Sequence, residues 1–255
     1  MKKTVLITAG AKRLGKVIAE SMIKKNWSVI LHYNSSKIEA EETAHELEKK
    51  GGDVSTYQAN FLDLEKTEKF IETILKQKKD WFGLINNAGL FKYDSGENFH
   101  FKDFNNHMLI NFTVPGLLTQ ALYKKIKRNN SEKNDMNIVI NILDAKIFGL
   151  NPDYYSYTLS KLSMYGLTKM AALSYAPILR VNGIAPGIIL PAKGQNNEQF
   201  EKAHKKNLLK KSASIDELKN ALYFLINTPS MTGHVLVLDG GSHLYPPRRD
   251  VSIDE

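Results

Sequence analysis

The sequence predicts a single α/β domain, a doubly wound parallel sheet of seven strands with helices on both faces. Three observations carry that expectation. Short β-branched runs alternate with amphipathic stretches along the chain. The runs are nearly continuous in apolar character, as strands buried on both faces are. The length, 255 residues with 42% hydrophobic content, suits one open sheet with a sizeable core, and no repeat, low-complexity tract or linker divides it.

The chain opens on TVLITA (4–9), whose apolar run is too short and lacks the end of a signal peptide, and therefore reads as the first strand. A helical pattern near 14–25 follows, then strand WSVILHY (27–33) and a helix near 37–50. Strand DVSTYQA (53–59) leads to a helix near 64–78, and strand FGLINNA (82–88) to one long helix near 103–127. NIVINIL (137–143) precedes a helix over 155–175, and RVNGIAP (180–186) is the sixth strand. Ser214 and Glu217 have the spacing of a capping box and start the last helix, 215–227, ahead of strand HVLVLD (234–239). The segment 192–211 after the sixth strand is expected to belong to a substrate lid at about 188–211. The tail GGSHLYPPRRDVSIDE is irregular and is expected at the surface or at a subunit contact.

The net charge of +8 raises the question of nucleic acid, but the lysines are scattered through helical segments and no nucleic-acid motif accompanies them. A lysine-rich solvated surface is the expectation. No run approaches the roughly 18–20 apolar residues of a membrane span. Zero cysteines remove disulfides, thiolate metal sites and cysteine nucleophiles, and fit a cytoplasmic protein. No metal site is expected.

In doubly wound sheets ligands lie beyond the carboxyl ends of the strands. After the first strand, TAGAKRLG (Thr8–Gly15) leads into a helix whose N-terminus could meet a pyrophosphate. Ala9 and Arg13 stand where a glycine-rich loop has glycines, so the pattern also fits an ordinary strand-to-helix turn. Gly10, Lys12, Arg13 and Leu14 are the candidate contacts. The second strand ends in Tyr33, Asn34, Ser35 and Ser36, with no acidic residue to hold a ribose and repel a 2′-phosphate. That favours NADP(H) over NAD(H).

Three tyrosines, Tyr154, Tyr155 and Tyr157, lie close together, but only Tyr157 has a lysine one helical turn on, Lys161. An ammonium beside a phenol is expected to lower its pKa toward the working range and make Tyr157 a proton donor.

With these residues in place the chain resembles the short-chain dehydrogenase/reductase family, which has a Rossmann fold, over essentially its whole length. TAGAKRLG matches the family's cofactor loop, NNAG (86–89) its fourth-strand motif, Tyr157 and Lys161 its catalytic pair, Pro186-Gly187 its turn after the sixth strand, and TGHVLVLDGG (232–241) its last strand. The resemblance implies that Tyr157 donates the proton, Lys161 holds the cofactor ribose and Asn111 positions a water relay. It implies cofactor contacts at Asn60 and Phe61, at Asn87, Ala88 and Gly89, and at Pro186, Gly187 and Ile189. It also implies a homotetramer built through the long helices.

Asp144, thirteen residues ahead of Tyr157, departs from the family pattern. Most members have a serine there that donates to a substrate carbonyl, and an ionised carboxylate cannot donate. An ionised Asp144 should favour the protonated phenol, opposing Lys161, and should prefer a substrate presenting N–H groups. The resemblance is closest to pteridine reductases and dihydromonapterin or dihydrofolate reductases. It implies that Arg13 reaches both cofactor and substrate and that Phe91 stacks on a pterin ring. The expected function is NADPH-dependent reduction of a pteridine C=N bond, with Arg13, Phe91, Asp144 and Tyr157 at the substrate. The alternatives are a carbonyl reductase of the same family and an NADP-binding regulatory protein without catalysis.

Overall fold

The computed structural model describes residues 2–129, 137–191, 200, 206–211, 213–250 and 253. Seven parallel strands form one sheet in the order β3-β2-β1-β4-β5-β6-β7. They are β1 (Thr4–Ile7), β2 (Ser28–Tyr33), β3 (Val54–Gln58), β4 (Trp81–Asn86), β5 (Ile138–Ile142), β6 (Arg180–Pro186) and β7 (Val235–Leu238). The strand order reverses between β1 and β4, which opens a crevice at their carboxyl ends.

The helices are α1 (Arg13–Lys24), α2 (Lys37–Lys49), α3 (Leu64–Gln77), α4 (Phe101–Met108), α5 (Val114–Arg128), α6 (Tyr155–Tyr175) and α7 (Ile215–Asn227). Side chains of successive strand residues feed two cores. Val5, Val29, Leu31, Ile138 and Ile140 join α1, α2 and α7, while Leu6, Ile30 and Val139 join α3, α5 and α6. With a core on each face, both sets of alternate positions must be apolar, hence the continuous runs in the sequence.

The expected single helix over 103–127 is in fact two helices joined by a π-helical turn, Leu109–Thr113. Pro115 is the reason. It has no N–H to give the carbonyl four residues earlier, that of Asn111, so the α-helical ladder cannot pass unbroken. The Val114 amide reaches instead to the Leu109 carbonyl, five residues back.

No helix among the described residues is long and apolar enough to cross a membrane. Of the expected lid, 192–199 and 201–205 lie outside the described residues.

Both arms of the capping box at the start of α7 are made. The Glu217 amide donates to Ser214 Oγ (3.1 Å), and the Ser214 amide to Glu217 Oε2 (2.6 Å). Ser214→Ala should cost about 1 kcal/mol. In a chain of this size that lowers the thermal midpoint by roughly 2–4 °C, which calorimetry will read.

Candidate active site

The loop from β1 to α1 keeps a glycine-like backbone without the glycines. Ala9 has φ +50° and Arg13 φ +52°. Such left-handed geometry costs an L-residue about 1–2 kcal/mol and persists only where the surroundings impose it. At Ala9, His32 on β2 imposes it. The Ala9 amide donates to His32 Nδ1 (3.1 Å) and the Gly10 amide to the His32 carbonyl (2.9 Å). For Nδ1 to accept, Nε2 must carry the proton, and it faces the Ala59 carbonyl at 3.0 Å. Burial pushes the His32 pKa down to about 4, which keeps the ring neutral at neutral pH. Phe61 stacks on this imidazole (3.9 Å between centroids, 9° between planes). Its ring is therefore buried with Phe70 rather than turned to a ligand, and only its backbone could contribute to a cofactor site.

Gly15 is required by space, because a Cβ there would lie 2.1 Å from the Ala9 carbonyl oxygen. The first turn of α1 carries no acidic residue and no side-chain cap, so its amides and positive dipole end are available to an anion. Thr8 ties this loop to the end of β4, its hydroxyl accepting the amides of Asn87 (2.9 Å) and Ala88 (2.8 Å). Asn87 Nδ2 returns bonds to the Thr8 and Ala9 carbonyls. Lys12 pairs with Glu39 on α2 at 3.2 Å, and Arg13 Nη2 donates to the Pro191 carbonyl at 2.7 Å, so Arg13 leans toward the β6 loop beyond Pro186, Gly187 and Ile189. Among Tyr33, Asn34, Ser35 and Ser36, the Asn34 carbonyl accepts Gln58 Nε2 (2.9 Å), while Ser36, the N-cap of α2, makes no side-chain cap bond. Asn60 folds its Oδ1 back onto the Leu62 amide.

Across the crevice, Asp144 follows β5 and Tyr157 lies in the first turn of α6. The Tyr157 hydroxyl donates to Asp144 Oδ2 at 2.6 Å, and the Lys146 amide donates to Asp144 Oδ1 at 2.9 Å. Lys161 is buried and donates to the Ile142 carbonyl at 2.7 Å, with its ammonium 5.8 Å from the Tyr157 ring centre. The expected lowering of the tyrosine pKa by this lysine does not occur. Burial, then the Asp144 charge, pushes the Tyr157 hydroxyl well above its ordinary value. Burial raises Asp144 as well, against its bonds from Tyr157 and Lys146. Burial also lowers Lys161 to about 8, with the Asp144 charge opposing. The three groups therefore resist ionisation together, with the phenol kept protonated as the aspartate predicted.

Asn111, in the π turn, is fully buried. Its Oδ1 accepts the Leu90 amide (2.7 Å), and its Nδ2 donates to the Leu90 carbonyl (3.0 Å) and Ser160 Oγ (2.9 Å). The side chain thus clamps the loop after Gly89 to α6. Its side-chain bonds are structural, and any hold on a water would fall to its main chain. A Cβ on Gly89 would come 3.9 Å from Lys161 Nζ, so these loops meet closely. Phe91 is half exposed, stacks on Tyr154 (4.2 Å, 14°) and meets Tyr157 edge-on (4.7 Å, 83°).

A family model described as "Enoyl-(Acyl carrier protein) reductase" matches residues 9–243. The chain is a member of the short-chain dehydrogenase/reductase family. Among the similar members, Glucose 1-dehydrogenase 2 of Bacillus subtilis is 28% identical, over 96% of each chain. Pteridine reductase 1 of Leishmania tarentolae is 27% identical over 94% of this chain and 96% of its own. A solved structure, FolM Alternative dihydrofolate reductase 1 from Brucella canis complexed with NADP, superposes with a TM-score of 0.86 at 32% identity, covering 97% of this chain and 96% of that one.

Against the pattern of this short-chain dehydrogenase/reductase family, several site residues carry no signal in the sequence. His32 reads as one more strand residue, and Glu39 as one more helix acid. Tyr154 has no lysine one helical turn on in the sequence but supplies the face behind Phe91. Asp94 accepts the Ser156 amide (3.0 Å), capping the helix that bears Tyr157. His107 lies below the Phe91 loop, its Nε2 accepting the Lys92 amide at 3.3 Å. The described part of the tail lies at the surface, with Leu244 and Tyr245 exposed, and there Arg249 and Asp250 turn back onto Asp153 and Lys146, contacts that nothing in the sequence signals.

The coupling of the buried groups is directly measurable. Asp144→Asn removes the charge that holds Lys161 up, so the lysine pKa should fall below its native value of about 8. An NMR titration of the Lys161 side chain checks this, and an unmoved or higher midpoint contradicts the coupling.

Proposed function

We propose that this reductase uses NADPH to reduce a ring C=N bond of a pteridine of the dihydropterin or dihydrofolate type, with Tyr157 as the proton donor. The single observation that carries the reading is the bond from the Tyr157 hydroxyl to Asp144 Oδ2. A ketone reductase needs a donor at position 144 to hold the carbonyl oxygen. A carboxylate there accepts hydrogen bonds and attracts the amino and ring N–H groups of a pterin. Phe91 adds a half-exposed aromatic face suited to a flat heterocycle.

The cofactor reading rests on this chain's own features. An uncapped α1 N-terminus without a first-turn acid suits a pyrophosphate. Asn34, Ser35 and Ser36 offer donors to a 2′-phosphate, and Lys12 can join them by releasing Glu39. The similarity to an NADP complex of an alternative dihydrofolate reductase and to a pteridine reductase points the same way.

Bound NADPH supplies the hydride to the ring carbon. The chain's residues manage the rest. Tyr157, kept as a phenol, holds the proton the ring nitrogen must receive. Asp144 orients the substrate's N–H groups and keeps the phenol aimed. Lys161, anchored on the Ile142 carbonyl, is placed to hold the cofactor ribose beside Tyr157. Arg13, bound to the Pro191 carbonyl, joins the phosphate loop to the substrate side. Asn111 fixes the loop between Gly89 and Phe91. The catalysis is chiefly positioning. The proposed assembly is a homotetramer through the long helices, where α6 leaves Met170 and Leu173 exposed, and the proposed compartment is the cytoplasm.

The test is NADPH oxidation with dihydrobiopterin or dihydromonapterin as acceptor. Tyr157→Phe should lower kcat at least about 10²-fold, the usual scale of a lost proton donor, and leave NADPH binding intact. Asp144→Ser should reduce pterin turnover more than any residual ketone turnover. Reduction of ketones, sugars or acyl thioesters with none of pterins would replace this reading by the carbonyl-reductase one, which the similarity to a glucose dehydrogenase supports. NADPH binding without oxidation by any acceptor would favour a regulatory role.

A further inference from the structure

The loop from Asp144 to Asp153 carries the substrate-facing carboxylate at one end and the aromatic wall at the other. The described part of the C-terminal tail crosses it and holds it at three points. At Gly149 a Cβ would lie 2.9 Å from His243 Cα and 3.1 Å from Pro246 Cβ, so tail and loop are in direct contact. At Lys146 the ammonium pairs with Asp250 at 3.0 Å, with only 8% and 19% of the two side chains exposed, and also reaches Asn151. At Asp153, whose side chain is 2% exposed, Arg249 donates from Nε and Nη2 (2.8–3.1 Å) and the Asp250 amide donates to Oδ2 at 2.7 Å.

Two of these contacts lead to the reacting groups. Lys146 also gives its amide to Asp144 and lies 5.6 Å from the Tyr154 ring centre. Asp153 immediately precedes Tyr154, whose φ of +54° is strained for a tyrosine and whose ring backs Phe91. A strained residue at the start of α6 needs fixed neighbours, and the bidentate Arg249–Asp153 contact supplies one.

We propose that Arg249 and Asp250 are positioning residues of the active site, the tail acting as a strap that fixes the Asp144–Asp153 loop and thereby the carboxylate and aromatic face that meet the substrate. The proposal uses the Asp144–Tyr157 site of the function proposed above but does not depend on which acceptor it reduces. The charged groups that act on Asp144 are Lys161 from α6 and Asp250 from the strap, while the Tyr157 hydroxyl from α6 and the Lys146 amide from its own loop donate to it. Asp250 acts on Asp144 as a like charge. Replacing it by asparagine removes that repulsion, so Asp144 should titrate at lower pH.

Full-length Arg249→Gln, Arg249→Lys and Asp250→Asn test the strap. In Arg249→Gln and Asp250→Asn, kcat/KM for the acceptor should fall about tenfold, equivalent to about 1.4 kcal/mol. NADPH affinity should stay native, since the strap contacts described above fall on the Asp144–Asp153 loop and not on the phosphate loop. Arg249→Lys should recover only part of the loss, because an ammonium cannot make the bidentate contact. An NMR titration of the Asp144 carboxyl in Asp250→Asn, which needs no turnover, should show a downward shift. A native kcat/KM in both variants overturns the proposal, as does an unmoved Asp144 midpoint. If native protein reduces ketones and not pterins, the substrate reading fails, and the same ratios on the ketone still decide the strap.

Discussion

The site depends on a hydrogen bond between two groups that would each be acidic in water and are both held back from ionising. Tyr157 donates to Asp144 in a pocket whose burial raises both pKa values, while the same burial weakens Lys161 as a cation. In a site with serine at position 144, the lysine could act on the phenol without a neighbouring negative charge. Here the carboxylate claims the hydroxyl, and the lysine is engaged by a main-chain carbonyl. The proton therefore stays on the tyrosine.

The rest of the molecule is arranged to hold those two side chains in register. β5 and α6 deliver Asp144 and Tyr157, Asp94 caps α6 next to the tyrosine, and Asn111 joins the β4 loop to Ser160 on the same helix. The π turn that houses Asn111 follows from Pro115, so one proline shapes the floor of the site. On the other side of the crevice, Thr8, Asn87 and His32 fix the phosphate loop with neutral hydrogen bonds alone.

The fold was legible because both faces of the sheet are covered. Val5 and Leu6 point to different cores, so the strands announce themselves as continuous apolar runs, and each strand fell within a residue or two of its expected span. The Tyr157–Lys161 pair was legible because four residues make one helical turn. What escaped the sequence depends on contacts between distant segments. The ring of Phe61 turns inward because His32 lies beneath it, and nothing near Phe61 in the chain reports that histidine. Tyr154 has no lysine one turn on in the sequence to mark it, although it backs an aromatic 63 residues away in sequence, Phe91. The sign of the Tyr157 shift was half legible: Asp144 predicted it, but the burial that outweighs Lys161 is a property of the folded pocket.

The neutral imidazole under the phosphate loop sets an acid limit on this fold. His32 has a free value near 6.5 and a folded value of about 4, so the unfolded chain takes up the proton first. Stability drawn from this residue is full above about 6.5 and drains away as the pH falls toward 4. Once protonated, Nδ1 becomes a donor facing the Ala9 amide, itself a donor, and the strained turn loses its hold. Acid should therefore loosen the nucleotide end of the crevice before the catalytic end, leaving a sheet that is intact but has lost its grip on phosphate.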